Sequence, residues 1–261
     1  MMIDRIRVVL HSPDRFNRLR DFFYTKFLFS LPQGLRRRLF VGKDYYCPVC
    51  QSRLKRFLVL HRAYNIWCPI CLSLPRHRLI WLLSEQEGWL NHPPENQMRL
   101  LHIAPESCLE EKFRQTPGIN YVSADLYNRH AMTRVDISAM QFDSESFDLI
   151  LCSHVLEHVP DDLKAISELR RTLKPTGRAV ILVPIHGEKT EEDPSITDPL
   201  ALERRFGQLD HVRSYGMDFI HRLEHSGFSV RTLTTTSLQM DEQGINRMGL
   251  RKPDIVFICQ K

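Results

Sequence analysis

The chain has 261 residues and a mass of 30.7 kDa, room for one large domain or one domain with a small appendage at about 100 to 200 residues per domain. With 43% hydrophobic and 26% charged residues, 11 Gly and 15 Pro, its composition excludes a disordered or fibrous chain. No uninterrupted apolar stretch reaches the ~18 residues that span a bilayer, and Asp4 and Arg5 introduce charge early, which argues against a secretory signal. The expected compartment is the cytoplasm.

Residues 1–45 form a basic, aromatic-rich helical arm. Ten Lys or Arg against four Asp give it +6, which leaves −1 for residues 46–261 of the total +5. Phe16, Leu19, Phe22, Phe23, Phe27, Leu28, Phe29 and Leu31 alternate with the charges. Three readings follow: an arm packed by its apolar face on the main domain, peripheral contact with an anionic membrane through residues 1–40, or contact with a phosphate backbone. The near-neutral body lacks the broad basic face that nucleic acid needs, so nucleic acid is the weaker partner.

Residues 46–75 carry Cys47-Pro-Val-Cys50 and, 17 residues on, Cys68-Pro-Ile-Cys71. This spacing reads as a four-thiolate zinc site, closed and structural, with Phe57–Leu60 and Tyr64–Trp67 as short strands of a zinc ribbon. Four of seven cysteines are thereby metal ligands (Cys47, Cys50, Cys68, Cys71), while Cys108, Cys152 and Cys259 read as packing residues. Residues 76–98 are a connecting helix. Its leading Arg76, His77 and Arg78 either face a substrate anion or scaffold the junction, and scaffolding is preferred.

Residues 99–261 change character. Apolar runs of strand length alternate with helical segments, which predicts an α/β fold with a mostly parallel sheet and helices on both faces. The runs are Leu100–Ala104, Tyr121–Ala124, Arg134–Ile137, Phe147–Cys152, Ala179–Val183, Ser229–Thr235 and Asp254–Cys259, seven in all. A helix is expected over Asp162–Leu173, capped by Asp161, with Leu163, Ile166, Leu169 and Leu173 as its apolar stripe and Lys174–Gly177 as its stop. A second is expected over Gly216–His225. Ligands bind such sheets beyond the carboxyl ends of the strands, and Asp125 lies close to the ~20 residues after the first strand at which an acid reaches a ribose.

The run Phe147-Asp-Leu-Ile-Leu-Cys-Ser-His-Val-Leu-Glu-His-Val-Pro160, with Glu168–Gly177 and Ala179–Pro184 after it, resembles the central signature of class I S-adenosylmethionine-dependent methyltransferases of type 11. The resemblance covers residues 99–259 and implies a Rossmann-like seven-stranded sheet. It implies that His102, Ile103, Ala104, Pro105 and Glu106 form the first cofactor loop, that Asp125 and Leu126 meet the ribose, that Asp136 and Ile137 meet the adenine, and that Ser153 and His154 line the methionine end. It also implies an antiparallel last strand. One departure stands out: the family's first motif carries an acid and a Gly-x-Gly, whereas Leu101-His-Ile-Ala-Pro-Glu-Ser107 has no glycine. Either Ala104 is small enough and Glu106 replaces the acid, or the pocket has degenerated and the domain only binds or scaffolds; the first is preferred because both downstream acids are present.

Between the fifth strand and the last helix, residues 186–215 form an insertion longer than the usual ~2 to 6 residues, hence a lid. His211, oriented by Asp210, is the candidate general base, and Arg213 and Tyr215 are candidate substrate-binding residues. The alternative is that these residues knit the lid to the domain. The expected activity is methyl transfer from S-adenosylmethionine to a small-molecule, sugar or lipid-linked acceptor. RNA methylation and a non-catalytic scaffold are the competing readings.

Overall fold

The structure is a computed structural model that describes residues 27–28, 30–60, 63–91, 97–250 and 254–261. The arm readings that rest on residues 1–26 lie outside the described residues. The chain divides into two compact units, one of Met1–Trp81 with Met240–Arg251 and one of Leu82–Gln239 with Lys252–Lys261.

In the first unit, α1 (Gln33–Phe40) leads into the antiparallel pair β1 (Val41–Cys47) and β2 (Ser52–Leu54), followed by a second antiparallel pair, β3 (Leu58–Leu60) and β4 (Ala63–Trp67). Each hairpin delivers one Cys-x-x-Cys turn. Arg36 of α1 donates to the Pro69 carbonyl of the second turn at 3.2 Å, so the described end of the arm is tied to the ribbon. Helix α2 (Pro75–Gln86) begins in this unit. Arg78 near its start is wholly buried. It lies 4.1 Å over the Phe57 ring and donates to the carbonyls of Ser73, Met248 and Gly249 at 2.6, 2.7 and 2.8 Å. A buried guanidinium is tolerated only when its donors are satisfied, and here backbone carbonyls do it, which makes Arg78 a scaffold. The same bonds draw Met248 and Gly249 into the first unit, although the sequence places them inside the 99–261 stretch.

The second unit holds a seven-stranded sheet. Its strands are β5 (Met98–Ile103), β6 (Ile119–Asp125), β7 (Thr133–Arg134), β8 (Phe147–Ser153), β9 (Leu173–Leu182), β12 (Ser229–Leu233) and β13 (Val256–Gln260), in the order β12-β13-β9-β8-β5-β6-β7. Strands β5 to β9 are parallel, and β13 inserts antiparallel between β12 and β9 as the resemblance implies. Central strands covered on both faces read as continuous apolar runs; Phe147, Leu149, Ile150, Leu151 and Cys152 are all buried. Helix α3 (Ser107–Gln115) follows β5, and α4 (Asp162–Thr172) follows β8.

The Asp161 side chain caps α4 by accepting from Lys164 N, as expected. Its buried stripe is Asp162, Ala165, Ile166, Leu169 and Thr172, whereas Leu163 falls on the opposite face and is exposed. Lys174–Gly177 ends the helix but does not interrupt the strand: β9 starts at Leu173, and the pairing jumps from Phe147 with Leu173 to Leu149 with Arg178. Gly177 permits that irregularity, because a Cβ there would stand 3.0 Å from the carbonyls of Phe147 and Asp148. Strand β7 is shorter than Arg134–Ile137 because Asp136 turns the chain, its Oδ1 accepting from Ser138 N and Oγ.

The insertion after β9 contains β10 (Glu191–Glu192), paired with β11 (Arg213–Ser214), and α5 (Pro199–Phe206). Asp198 caps α5, Pro199 opens it, and Gly207 ends it in the left-handed region. At Gly216 the chain passes so close to Lys189 that a Cβ would meet its backbone at 2.4 Å. Helix α6 (Phe219–His225) follows, shorter than the Gly216–His225 expected, and α7 (Glu242–Arg247) lies in the first unit.

Candidate functional site

The sheet register aligns the residues that matter. Ile103 pairs with Ala124 on one side and with Cys152 on the other, and Cys152 pairs with Ile181. The next row, one residue beyond, therefore holds Ala104, Asp125 and Ser153 at the carboxyl ends of three adjacent parallel strands. Two residues at this edge are forced out of ordinary backbone space: Ala104 has φ 49° and His154 has φ 54°. Neither is glycine, and left-handed backbone costs an L-residue roughly 1–2 kcal/mol. Each is held there by a ladder bond, Ala104 N to Ala124 O at 2.8 Å and His154 N to Leu182 O at 2.9 Å. Strain of this kind concentrates at functional sites.

The loop residues have distinct surroundings. Asp125 is half-buried, and its Oδ1 accepts from Tyr127 N and Asn128 N at 2.7 Å each, which curls the following loop around the carboxylate. Asp136 is exposed, its carboxyl held below the ordinary range by the Ser138 hydroxyl and amide. Ser153 is buried, with an Oγ that has no hydrogen-bond partner. A buried hydroxyl without a partner calls for an explanation. Leu126 stands half-buried beside Asp125, and Pro105 beside Ala104.

Other expectations need correction. His102, Ile103 and Ile137 are core side chains, so only their backbone reaches the strand ends. His102 bridges Tyr121 Oη at 3.0 Å and Glu106 Oε2 at 2.9 Å. Glu106 precedes α3 without capping it, because its carboxylate turns back to His102. Burial pushes the Tyr121 phenol well up, so it stays a hydrogen-bonding group.

The lid residues are bound to the protein itself. Arg213 is buried, donates to the carbonyls of Leu156, Val159 and Pro160, and meets Glu192 at 2.9 Å. Tyr215 is buried and donates to Asp162 Oδ2 at 2.6 Å; burial first, and the Asp162 charge second, push its phenol far up. Arg222 completes the network on Asp162 and on Glu192 at 2.7 Å. Arg213 and Tyr215 thus knit the insertion to the loop after β8 and have no polar group left over for a substrate. Asp162, Glu192 and Arg222 carry no sequence signal for this role: Asp162 reads as an ordinary first-turn residue of α4.

His211 is also buried, at 6% exposure. Its Nδ1 lies 3.2 Å from Phe206 O, and its Nε2 has no hydrogen-bond partner. Burial, and then the neighbouring His158, lower its proton affinity, so the ring is neutral at neutral pH. Asp210 does not orient it. The Asp210 carboxylate is exposed and stands 3.5 Å from His158 Nδ1, while the Asp210 carbonyl lies 3.2 Å from the same nitrogen. The rings of His158 and His211 meet edge to face, centroids 4.7 Å apart. Glu157, buried and adjacent, has Oε1 3.4 Å from His154 Nδ1.

In the first unit the four cysteines converge. Cys47 Sγ lies 3.6 Å from Cys71 Sγ, and Cys50 Sγ 3.7 Å from Cys68 Sγ. Four sulfurs tetrahedrally arranged at 2.3 Å from one zinc stand about 3.8 Å apart, so the donor set fits that ion. Ser73 Oγ lies 3.2 Å from Cys47 Sγ and 3.3 Å from Cys71 Sγ. Burial pushes the Cys68 thiol up, and contact with Cys47 pulls the Cys50 thiol down.

Comparison with known proteins adds to this geometry. Residues 106–181 match the family described as methyltransferase domain. An uncharacterized protein of Methanocaldococcus jannaschii is 39% identical over 66 residues, 24% of this chain and 29% of that relative's length. Among solved structures, the chain is similar to a SAM-dependent methyltransferase from Archaeoglobus fulgidus, at 15% identity and a TM-score of 0.47, covering 71% of this chain and 94% of that one. It is also similar to Haemonchus contortus phosphoethanolamine N-methyltransferase 2 in complex with S-adenosyl-L-methionine, at 13% identity and a TM-score of 0.47, covering 71% and 52% respectively. The part of the chain that matches the methyltransferase domain family, residues 106–181, runs from the end of the first sheet loop through β8 and α4 into β9.

Proposed function

We propose that the second unit is an S-adenosylmethionine-dependent methyltransferase acting on a small-molecule, sugar or lipid-linked acceptor. The observation that carries the reading is the row of Ala104, Asp125 and Ser153 across three strand ends, with Ala104 in the backbone region a glycine would take. Bound there, the cofactor supplies a methyl group on a positively charged sulfonium. Ala104 and Pro105 give it a close backbone approach, with a methyl as the largest obstacle at the left-handed position. Asp125, whose Oδ2 has no protein partner among the described residues, accepts from the ribose hydroxyls. Leu126, Asp136 and the Ile137 backbone flank the base. Ser153 Oγ and His154 face the methionine end, and Glu106, fixed by His102, stands in for the missing acid of the first loop.

Methyl transfer is a positional reaction, because the electrophile comes already activated. The protein has to hold the acceptor in line and take its proton. His211, neutral and with Nε2 unengaged, is the residue on the acceptor side that does this in the absence of any other ligand. Lid residues Arg213 and Tyr215 fix the segment that follows it. The four cysteines hold a structural zinc that stabilises the ribbon. The −1 charge of residues 46–261 favours a small acceptor over RNA. Calorimetry with S-adenosylhomocysteine tests the reading: one site per chain, lost in Asp125→Ala, is expected, and no binding at millimolar ligand would leave a scaffold.

A further inference from the structure

Outside the cysteine cluster, one other set of ligating side chains converges among the described residues: Glu157, His158 and His211 each offer one ligand atom, and these atoms lie within 4.8 Å of one another. We propose that Glu157, His158 and His211 form a binding site for a divalent transition-metal ion at the lid side of the strand ends.

Three features of the site support this beyond proximity. His211 Nε2 is buried, lacks a hydrogen-bond partner and belongs to a ring 6% exposed, the state of an imidazole nitrogen that has a ligand to meet. Both rings are oriented from behind: Nδ1 of His211 stands on Phe206 O at 3.2 Å and Nδ1 of His158 on Asp210 O at 3.2 Å. Metal-ligating histidines almost always fix their second nitrogen on a carbonyl or carboxylate in this way, which leaves Nε2 as the ligand. Finally, Glu157 is 1% exposed, which sets its carboxylate inside the protein together with the two rings. His154, held in its left-handed conformation at the end of β8, positions that carboxylate through its contact at 3.4 Å.

The donor set names the class of ion. Two imidazoles and one carboxylate suit zinc, manganese, iron or cobalt, whereas magnesium and calcium take oxygen ligands. Three protein ligands leave coordination positions open, in contrast to the closed four-sulfur cluster; that is the arrangement of an ion that meets a substrate. An ion at this site requires the three ligand atoms about 2.0–2.2 Å from one centre. With the ion bound, the His211 lone pair is a ligand and no longer a free base. The inference does not depend on the methyl-transfer reading, since the residues and their geometry stand without the cofactor.

The test uses the full chain with zinc in its cysteine site, titrated with Mn²⁺ and read by the electron paramagnetic resonance of free aqueous Mn²⁺. Manganese sits at the weak end of the divalent affinity order and does not displace zinc from thiolates, so uptake reports the second site. One saturable equivalent per chain is expected. His158→Gln, at a half-exposed position that tolerates change, and His211→Asn should each weaken uptake by more than the roughly 10- to 100-fold that loss of an outer-shell partner costs. His221→Gln, remote and exposed, should leave it unchanged. No saturable uptake by the parent chain, or uptake that survives both His158→Gln and Glu157→Gln, overturns the site. S-adenosylhomocysteine binding without Mn²⁺ uptake would sink the metal site alone, and Mn²⁺ uptake without S-adenosylhomocysteine binding would sink the methyltransferase reading alone.

Discussion

Replacing Ala104 with glycine should stabilise the protein, which is the reverse of what alanine-to-glycine does at most positions. Ala104 has φ 49°, where an L-residue is disfavoured by roughly 1–2 kcal/mol. Glycine removes that penalty but gains conformational freedom in the unfolded chain, returning roughly 0.5–1 kcal/mol. The balance is about 0.5–1 kcal/mol in favour of Ala104→Gly. For a domain of this size, with roughly 2–4 °C of melting temperature per kcal/mol, the shift is about 1–4 °C upward. Ala104→Val should move the other way and further, because a β-branched side chain fits the left-handed region least well. Differential scanning calorimetry reads both variants. S-adenosylhomocysteine titration of the same samples should show affinity equal to or tighter than that of the parent for glycine, and weaker for valine. A lower melting temperature for Ala104→Gly would refute the strain assigned to this loop.

Arg213→Met removes the donor to three carbonyls and the partner of Glu192. Leaving a buried carbonyl without its donor costs about 1–3 kcal/mol, so the melting temperature should fall by several degrees and limited proteolysis should open residues 186–215; an unchanged digest would show that the lid is held elsewhere. The Glu168 carboxyl is held below its ordinary range mainly by its hydrogen bond to Arg171. A depressed acid adds stability that is present above its unfolded pKa of about 4.3 and is lost as pH falls through the folded value. Glu168→Gln should therefore flatten the acid limb of urea-derived stability below about pH 5, and an identical limb in the variant would contradict the assignment. Metal analysis of protein purified without chelator should find one zinc in the cysteine site, removed by Cys68→Ser together with the fold of the ribbon; retention of that zinc in the variant would refute tetrathiolate ligation.

Much of the sheet was legible because central strands buried on both faces must be runs of apolar residues, as Phe147–Cys152 and Ala179–Val183 are. Boundaries failed where a local interaction competes with pairing. Asp136 turns the chain and shortens β7, and the Lys174–Gly177 irregularity is absorbed into β9 because Gly177 can approach the β8 backbone. The cysteine cluster was legible from spacing alone, since two Cys-x-x-Cys turns constrain their sulfurs locally. The lid was not. His211 and Arg213 drew notice through their chemistry, but consecutive residues in an irregular segment face different neighbours, and only the folded chain shows Asp210 beside His158 and Arg213 beneath the loop after β8. The Glu157, His158 and His211 cluster joins residues more than 50 positions apart, a contact no local pattern reports. Arg78 illustrates the same limit: its burial depends on carbonyls at Met248 and Gly249.

The central claim is that a glycine-free first loop still accepts a methyl donor, and calorimetric titration of the full chain with S-adenosylhomocysteine tests it most directly. A single saturable site, weakened in Asp125→Ala and in Ala104→Val but retained in the exposed control His221→Gln, is the predicted result. No heat of binding at millimolar ligand, or binding indifferent to Asp125 and Ala104, would contradict it.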